Sequence, residues 1–191
     1  MSFIAQVTIS IVIYFIIRFF YQKEKSLYFA GFIAAFSYVL IYLATYEIIS
    51  IMPTIHFMVT GLSLLFIFIA YNEIIILERK VRKVKKGELI NIEPFSVERN
   101  YKIVFKLLGI GLFFLSLALV SGFTLQTIFT ANLLFKAIFT FIAWIIFLIT
   151  FIGVQYANFP IKYATRSLFV SMWAVLGCLL YTSPSPRDHQ P

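Results

Sequence analysis

Long apolar runs recur along this chain at nearly regular intervals, at about 3–21, 27–46, 55–77, 103–122, 132–154 and from 166 onward. Each of the first five holds about 19–23 residues. As helices rising 1.5 Å per residue they reach roughly 30 Å, the thickness of a bilayer's hydrocarbon core. Ile, Leu and Phe lie around the whole circumference of these runs rather than along one stripe, which excludes the surface helices of a soluble bundle. The fold class that follows is all-α: a polytopic transmembrane helical bundle of about six spans. Composition agrees where it discriminates. Only 13% of the residues are charged, against about 25% in soluble domains, and mean hydropathy is +0.94. A length of 191 residues leaves no room for a folded soluble domain beside such spans. The first run lacks a charged start and a small-residue cleavage site, so it reads as a retained helix rather than a signal peptide.

The connections alternate in charge. Arg18, Lys23 and Lys25 follow the first run; Arg79, Lys80, Arg82, Lys83, Lys85, Lys86, Arg99 and Lys102 lie between the third and fourth; Lys162 and Arg166 follow the fifth. The connections 47–54 and 121–131 contain no Lys or Arg. The positive-inside rule then predicts that the basic connections, including loop 78–102, face the cytoplasm and the others face outward. The net charge of +8 is by this reading a topology signal, and nucleic acid is not an expected partner. Val81, Val84 and Leu89 between the charges let the third helix continue past the membrane surface, with Glu78 and Arg82 as a favourable i,i+4 pair. The cluster 79–86 reads first as a solvated stop-transfer run; specific binding of lipid headgroups or an anionic partner is the alternative.

Residues 178–188 read CLLYTSPSPRD, which resembles a translated sequencing adapter. Residues 178–191 are therefore set aside as an artefact, and 1–177 are read as one transmembrane domain expected to be truncated at both ends. Setting them aside removes Cys178, the sole cysteine, and His189. Neither a disulfide framework nor a thiolate metal site then remains.

His56 is the one histidine left in 1–177, opening the third run just after Pro53, a residue suited to a helix start. It reads either as a hydrogen-bonded interface residue or as an axial haem ligand or proton relay, because neutral imidazole binds iron and titrates near neutrality. Lys136 lies a few residues into the fifth run. A lysine so shallow can snorkel to the interface, or it can answer an anionic neighbour such as a haem propionate. Glu47 and Glu73 are expected to face headgroups or water. Tyr21, Tyr28, Tyr46, Tyr71, Tyr101 and Tyr156 are placed as interfacial aromatic belts. The chain contains no GxGxxG, P-loop, HExxH or Ser–His–Asp set, and it is expected not to be an enzyme.

In order and spacing these residues carry a resemblance. Ile55-His56-Phe57 opens a span, a basic loop follows, Pro94 and Glu98-Arg99 precede the next helix, Ser121-Gly122-Phe123 closes it, and Lys136 stands eight residues before Trp144. Over residues 1–177, most clearly 53–177, the chain resembles the cytochrome c assembly membrane proteins, in particular their shorter inner-membrane branch (HemX-like or YpjD-like). The resemblance implies a haem (heme) cofactor, with His56 on iron, Lys136 near a propionate and Trp144 at the cofactor. Leu133-Leu134-Phe135-Lys136 stands where larger haem-exporting members have Trp-Asp-Pro-Lys, a departure that favours the shorter branch. The expected function is an integral haem-handling or assembly factor for c-type cytochrome biogenesis in a bacterial cytoplasmic (inner) membrane. Its partners would be the lipid bilayer, haem and other cytochrome c maturation or membrane transport proteins. The alternative is an accessory subunit of an inner-membrane ion transporter. The spans lack the paired carboxylates and broken helices expected around an ion site, but an accessory subunit needs neither.

Overall fold

In a computed structural model the apolar runs form α1 (Phe3–Phe20), α2 (Ser26–Thr45), α3 (Ile51–Lys85), α4 (Pro94–Leu125), α5 (Ala131–Tyr156) and α6 (Ile161–Leu180). The structure describes residues 3–20, 26–45, 51–87, 94–125, 131–156 and 161–180, all helical apart from the turn at Lys86 and Gly87. Among the described residues, α1 to α5 are long and apolar enough to cross a membrane. In α6 the side chains are described only over 163–174, fewer than the ~20 that a span needs.

Two helices outgrow their apolar runs. The 35 residues of α3 extend about 52 Å, well beyond a ~30 Å hydrocarbon core. The extension is the one expected from Val81, Val84 and the Glu78–Arg82 pair, whose Nη2–Oε1 distance is 3.4 Å. It stops at Gly87, whose φ of 73° is a left-handed conformation that glycine adopts without steric cost. The amides of Lys86 and Gly87 close the last turn on the carbonyls of Arg82 and Val84. On the far side of the loop α4 starts at Pro94, earlier than the apolar run suggests. Proline is suited to a first helical position because its missing N–H has no partner there anyway.

Cross-helix pairs set the topology. Gln6 meets Thr45, Tyr38 meets Phe57 and His56 meets Ser121, so consecutive helices run antiparallel. Tyr14 meets Glu73 and Phe3 meets Phe57, so α1 and α3 run parallel. One end of the bundle therefore gathers the basic connections, and the other gathers His56, Ser121 and the start of α5. We call these the basic end and the opposite end.

Helix α3 is shared by two groupings. It packs with α1 and α2 as a triangle, and it closes a ring in which α3 meets α4, α4 meets α5, α5 meets α6 and α6 meets α3. Burial follows from this placement. Leu65, Ile69, Ala70 and Ile74 of α3 are fully enclosed, whereas α1 and α2 present Phe19, Phe20, Phe32 and Phe36 outward. Apolar faces of that kind suit contact with lipid.

The most extensive packing is between α3 and α4. A Cβ on Gly111 would lie 2.8 Å from Ile67 Cγ1 and 3.1 Å from its backbone nitrogen, so only glycine admits this approach. Ser63 uses it to donate a hydrogen bond to the Gly111 carbonyl at 3.1 Å, and Phe66 stacks on Phe114 with ring centroids 6.0 Å apart. Lipid offers no hydrophobic drive for helices to associate, so small residues and interhelical hydrogen bonds take that role.

Candidate functional site

His56 occupies the second turn of α3, half-buried against the end of α4. Its Nδ1 lies 2.9 Å from Ser121 Oγ. Ser121 Oγ also lies 3.1 Å from the Ala118 carbonyl; with its hydroxyl proton directed there, the serine oxygen accepts from Nδ1–H of the Nδ1-protonated tautomer. The Ala118 carbonyl approaches the imidazole as well. A neutral imidazole protonated on Nδ1 keeps its lone pair on Nε2. Fixing one ring nitrogen by a hydrogen bond in this way is how proteins orient a metal-binding histidine.

Gly122 completes the fit. A Cβ there would stand 3.2 Å from His56 Cε1, tighter than ordinary carbon–carbon contact. The adjacent pair Ser121-Gly122 thus supplies both the hydrogen bond and the clearance for one imidazole edge. Phe57 closes on the ring at a centroid distance of 5.7 Å, and Thr60 Oγ1 donates to the His56 carbonyl at 2.7 Å.

Trp144 of α5 also fastens to α4. Its Nε1 donates to Ser116 Oγ at 2.8 Å, Ser116 donates to the Leu112 carbonyl at 2.9 Å, and Phe141 stacks on the indole at 5.8 Å. Ser116 and Ser121 are about 7.5 Å apart along α4, on different faces of the helix. The structure therefore places His56 and Trp144 on one scaffold without bringing them together among the described residues. Lys136 belongs to the second turn of α5, at the same end as His56, and its side chain lies outside the described residues. So does Glu47.

Glu73 corrects the expectation that it faces headgroups or water. It is 4% exposed; its Oε1 accepts from the Tyr14 hydroxyl at 2.6 Å and from Arg18 Nε at 3.1 Å. Arg18, read from the sequence as a connection charge, sits in the last turn of α1 and turns inward, its side chain 16% exposed. The physical reason is local. Tyr14 and Arg18 are i,i+4 neighbours on α1, and a carboxylate within an apolar stretch of α3 is far less costly paired than facing hydrocarbon. Sequence reasoning gave Tyr14 no role. The available signal was a carboxylate in an apolar run together with a basic residue and a hydroxyl one helical turn apart.

A further polar contact lies at the opposite end. Gln6, fully buried, donates to Thr45 Oγ1 at 2.6 Å, and its Oε1 has no hydrogen-bond partner among the described residues. Among those residues no group of three His, Cys, Asp or Glu side chains forms a metal cage. A metal at His56 would then need its remaining ligands from a macrocycle or from elsewhere. No family model, curated protein or solved structure matches this chain.

Proposed function

We propose that this chain is a haem-handling or assembly factor for c-type cytochrome biogenesis, spanning a bacterial cytoplasmic membrane with the basic end in the cytoplasm and His56 toward the outer face. The observation that carries the reading is the anchored imidazole. Ser121-Gly122, part of the pattern that makes the chain resemble cytochrome c assembly proteins, is the segment that holds and makes room for His56.

The donor set suits haem better than a bare metal ion. Porphyrin supplies four equatorial nitrogens, so one histidine suffices as an axial ligand, whereas structural zinc takes four protein ligands. Bound haem would supply a redox-active iron. The work of the chain is to hold Nε2 unprotonated, by way of the Nδ1–Ser121 bond, and to surround it with apolar helix faces. Trp144, whose N–H is committed to Ser116 on a different face of α4, is left out of the His56 site. Lys136, at the same end, is assigned to a propionate.

Transport has one observation in its favour, the carboxylate of Glu73 within the bundle. Arg18 already balances its charge at 3.1 Å, which opposes use as a cation site, so the haem reading is preferred.

The test is the reduced-minus-oxidised visible spectrum of the protein purified after expression with added haem, beside His56→Ala and with thermal unfolding of both as a fold control. A low-spin haem signal lost in a folded His56→Ala variant is expected. No haem in the parent protein, or an unchanged spectrum in the variant, would overturn the assignment.

A further inference from the structure

Three other helices meet α3 at the dipeptide His56-Phe57. Ser121 of α4 lies 2.9 Å from the His56 imidazole. Phe3 of α1 meets the Phe57 ring at a centroid distance of 6.3 Å. From α2 the Tyr38 hydroxyl donates to the Phe57 carbonyl at 3.2 Å. That last contact reaches main chain, so it acts on the position of the helix rather than of one side chain. Tyr38 is fully buried, and its phenol reaches the α3 backbone because residue 61 is glycine. A Cβ on Gly61 would overlap the Tyr38 hydroxyl and stand 2.9 Å from Cε1 of the ring. Within an α-helix the carbonyl of residue 57 accepts from the amide of residue 61. Its second lone pair is the one that Tyr38 takes.

This turn needs an outside hold. Helix α3 begins at Ile51, so His56 follows closely on the first four amides, which have no intrahelical acceptor, and helix ends fray. His56 and Phe57 stand about 100° apart around the helix axis. Helices α4 and α2 therefore take hold of the same turn from two different sides. One contact alone leaves the turn free to roll about it; a second contact on another face stops the roll. Little movement matters here, because a separation of about 3.6 Å is no longer a hydrogen bond. Thr60 sets no competing constraint, since its hydroxyl bonds within α3 to the His56 carbonyl.

We propose that Tyr38 is a positioning residue for His56. By holding the Phe57 carbonyl through the notch at Gly61, it sets the rotation of the first turns of α3 at which the imidazole meets Ser121. The functional weight of this inference rests on the reading of His56 as a haem ligand. The hydrogen bond itself needs no haem, so the two stand or fall separately. Tyr42 supplies the comparison: it lies one turn along α2 from Tyr38, is 2% exposed, and its ring centroid is 6.1 Å from that of Tyr38.

The experiment is ring-nitrogen NMR of the full chain in mild detergent, isotopically labelled at histidine, with the His56 signals assigned by their loss in His56→Ala. It measures the ratio of the two neutral His56 tautomers, which the bond to Ser121 biases. Ser121→Ala gives the ratio without that bond. Tyr38→Phe keeps the ring in the notch and removes only the donor; thermal unfolding checks that the fold is kept. The ratio in Tyr38→Phe should move toward that of Ser121→Ala by about two- to fivefold, the equivalent of one hydrogen bond. Tyr42→Phe, which removes a hydroxyl from the same buried stretch of α2, should leave it unchanged. An unchanged ratio in folded Tyr38→Phe would overturn the proposal, and so would equal shifts in both tyrosine variants, which would mean a general loosening of α2. Haem titration of the same proteins should rank the losses Ser121→Ala, Tyr38→Phe, Tyr42→Phe, largest first. A parent chain that takes up no haem would overturn the haem reading, while the tautomer ratio still decides the role of Tyr38.

Discussion

Replacing Arg18 with leucine strands a carboxylate inside the bundle. Glu73 is 4% exposed, and the two hydrogen bonds to its Oε1, from Arg18 at 3.1 Å and Tyr14 at 2.6 Å, fall to one. Breaking a buried ion pair from one side costs about 3–5 kcal/mol. Glu73→Leu should cost less. Arg18 lies two residues from the end of α1, where its long stem can carry the guanidinium to the headgroups. The remaining loss is that of unsatisfied buried partners, about 1–3 kcal/mol. Changing both residues to leucine leaves apolar side chains in apolar surroundings, expected within about 1 kcal/mol of the parent protein. The double variant is thus predicted to be more stable than Arg18→Leu alone, with a coupling energy of at least about 2 kcal/mol. Reversible unfolding in mixed micelles with increasing dodecyl sulfate measures all four proteins. If the single losses add to the double loss within about 0.5 kcal/mol, the pair does not interact as described and the reasoning fails.

Two further predictions test the opposite end and the α3–α4 contact. Ser121→Ala should cost only about 0.6 kcal/mol of stability, the average for an interhelical hydrogen bond in a membrane protein, yet weaken haem retention about 10- to 100-fold by releasing Nδ1; haem titration beside thermal unfolding separates the two effects. Gly111→Val should destabilise by about 1–3 kcal/mol or more through overpacking, because the 3.1 Å contact is with the Ile67 backbone, which cannot rotate away. An unchanged unfolding midpoint would contradict the close approach.

Much of the helix layout was legible because it depends on local properties. Apolar length gave the helices, and the i,i+4 pair Glu78–Arg82 marked the extension of α3 that the structure contains. Pro94 stood in view in the sequence, but its role as the first residue of α4 depends on the polar segment 94–102 being helical, which an apolar run does not signal. Pairings across the chain were not legible. Glu73 meets residues 55 and 59 positions away, and nothing local to α3 distinguishes a carboxylate facing water from one facing a guanidinium. His56 was visible as a candidate and Ser121-Gly122 as part of a pattern. That the second holds the first depends on how α3 and α4 approach, which Gly111 sets about five turns into α4 from Pro94.

The polar side chains of the bundle share a distribution that bears on function. Gln6–Thr45, Tyr14–Glu73, Ser63–Gly111, His56–Ser121, Trp144–Ser116 and Thr150–Ser167 each join two different helices. They are spread over five helix interfaces rather than gathered along one axis. In lipid, where apolar surface alone gives no preference for one neighbour over another, such bonds fix which helices pair and in what register. A conducting path requires the reverse arrangement, with polar groups lining a common route. The described residues therefore form a fixed scaffold in which most polar groups are committed to helix pairing. On that scaffold His56 differs from the others: its bond to Ser121 engages Nδ1, and Nε2 stands outside that bond. An imidazole held in this way suits binding at the opposite end of the bundle better than passage through it.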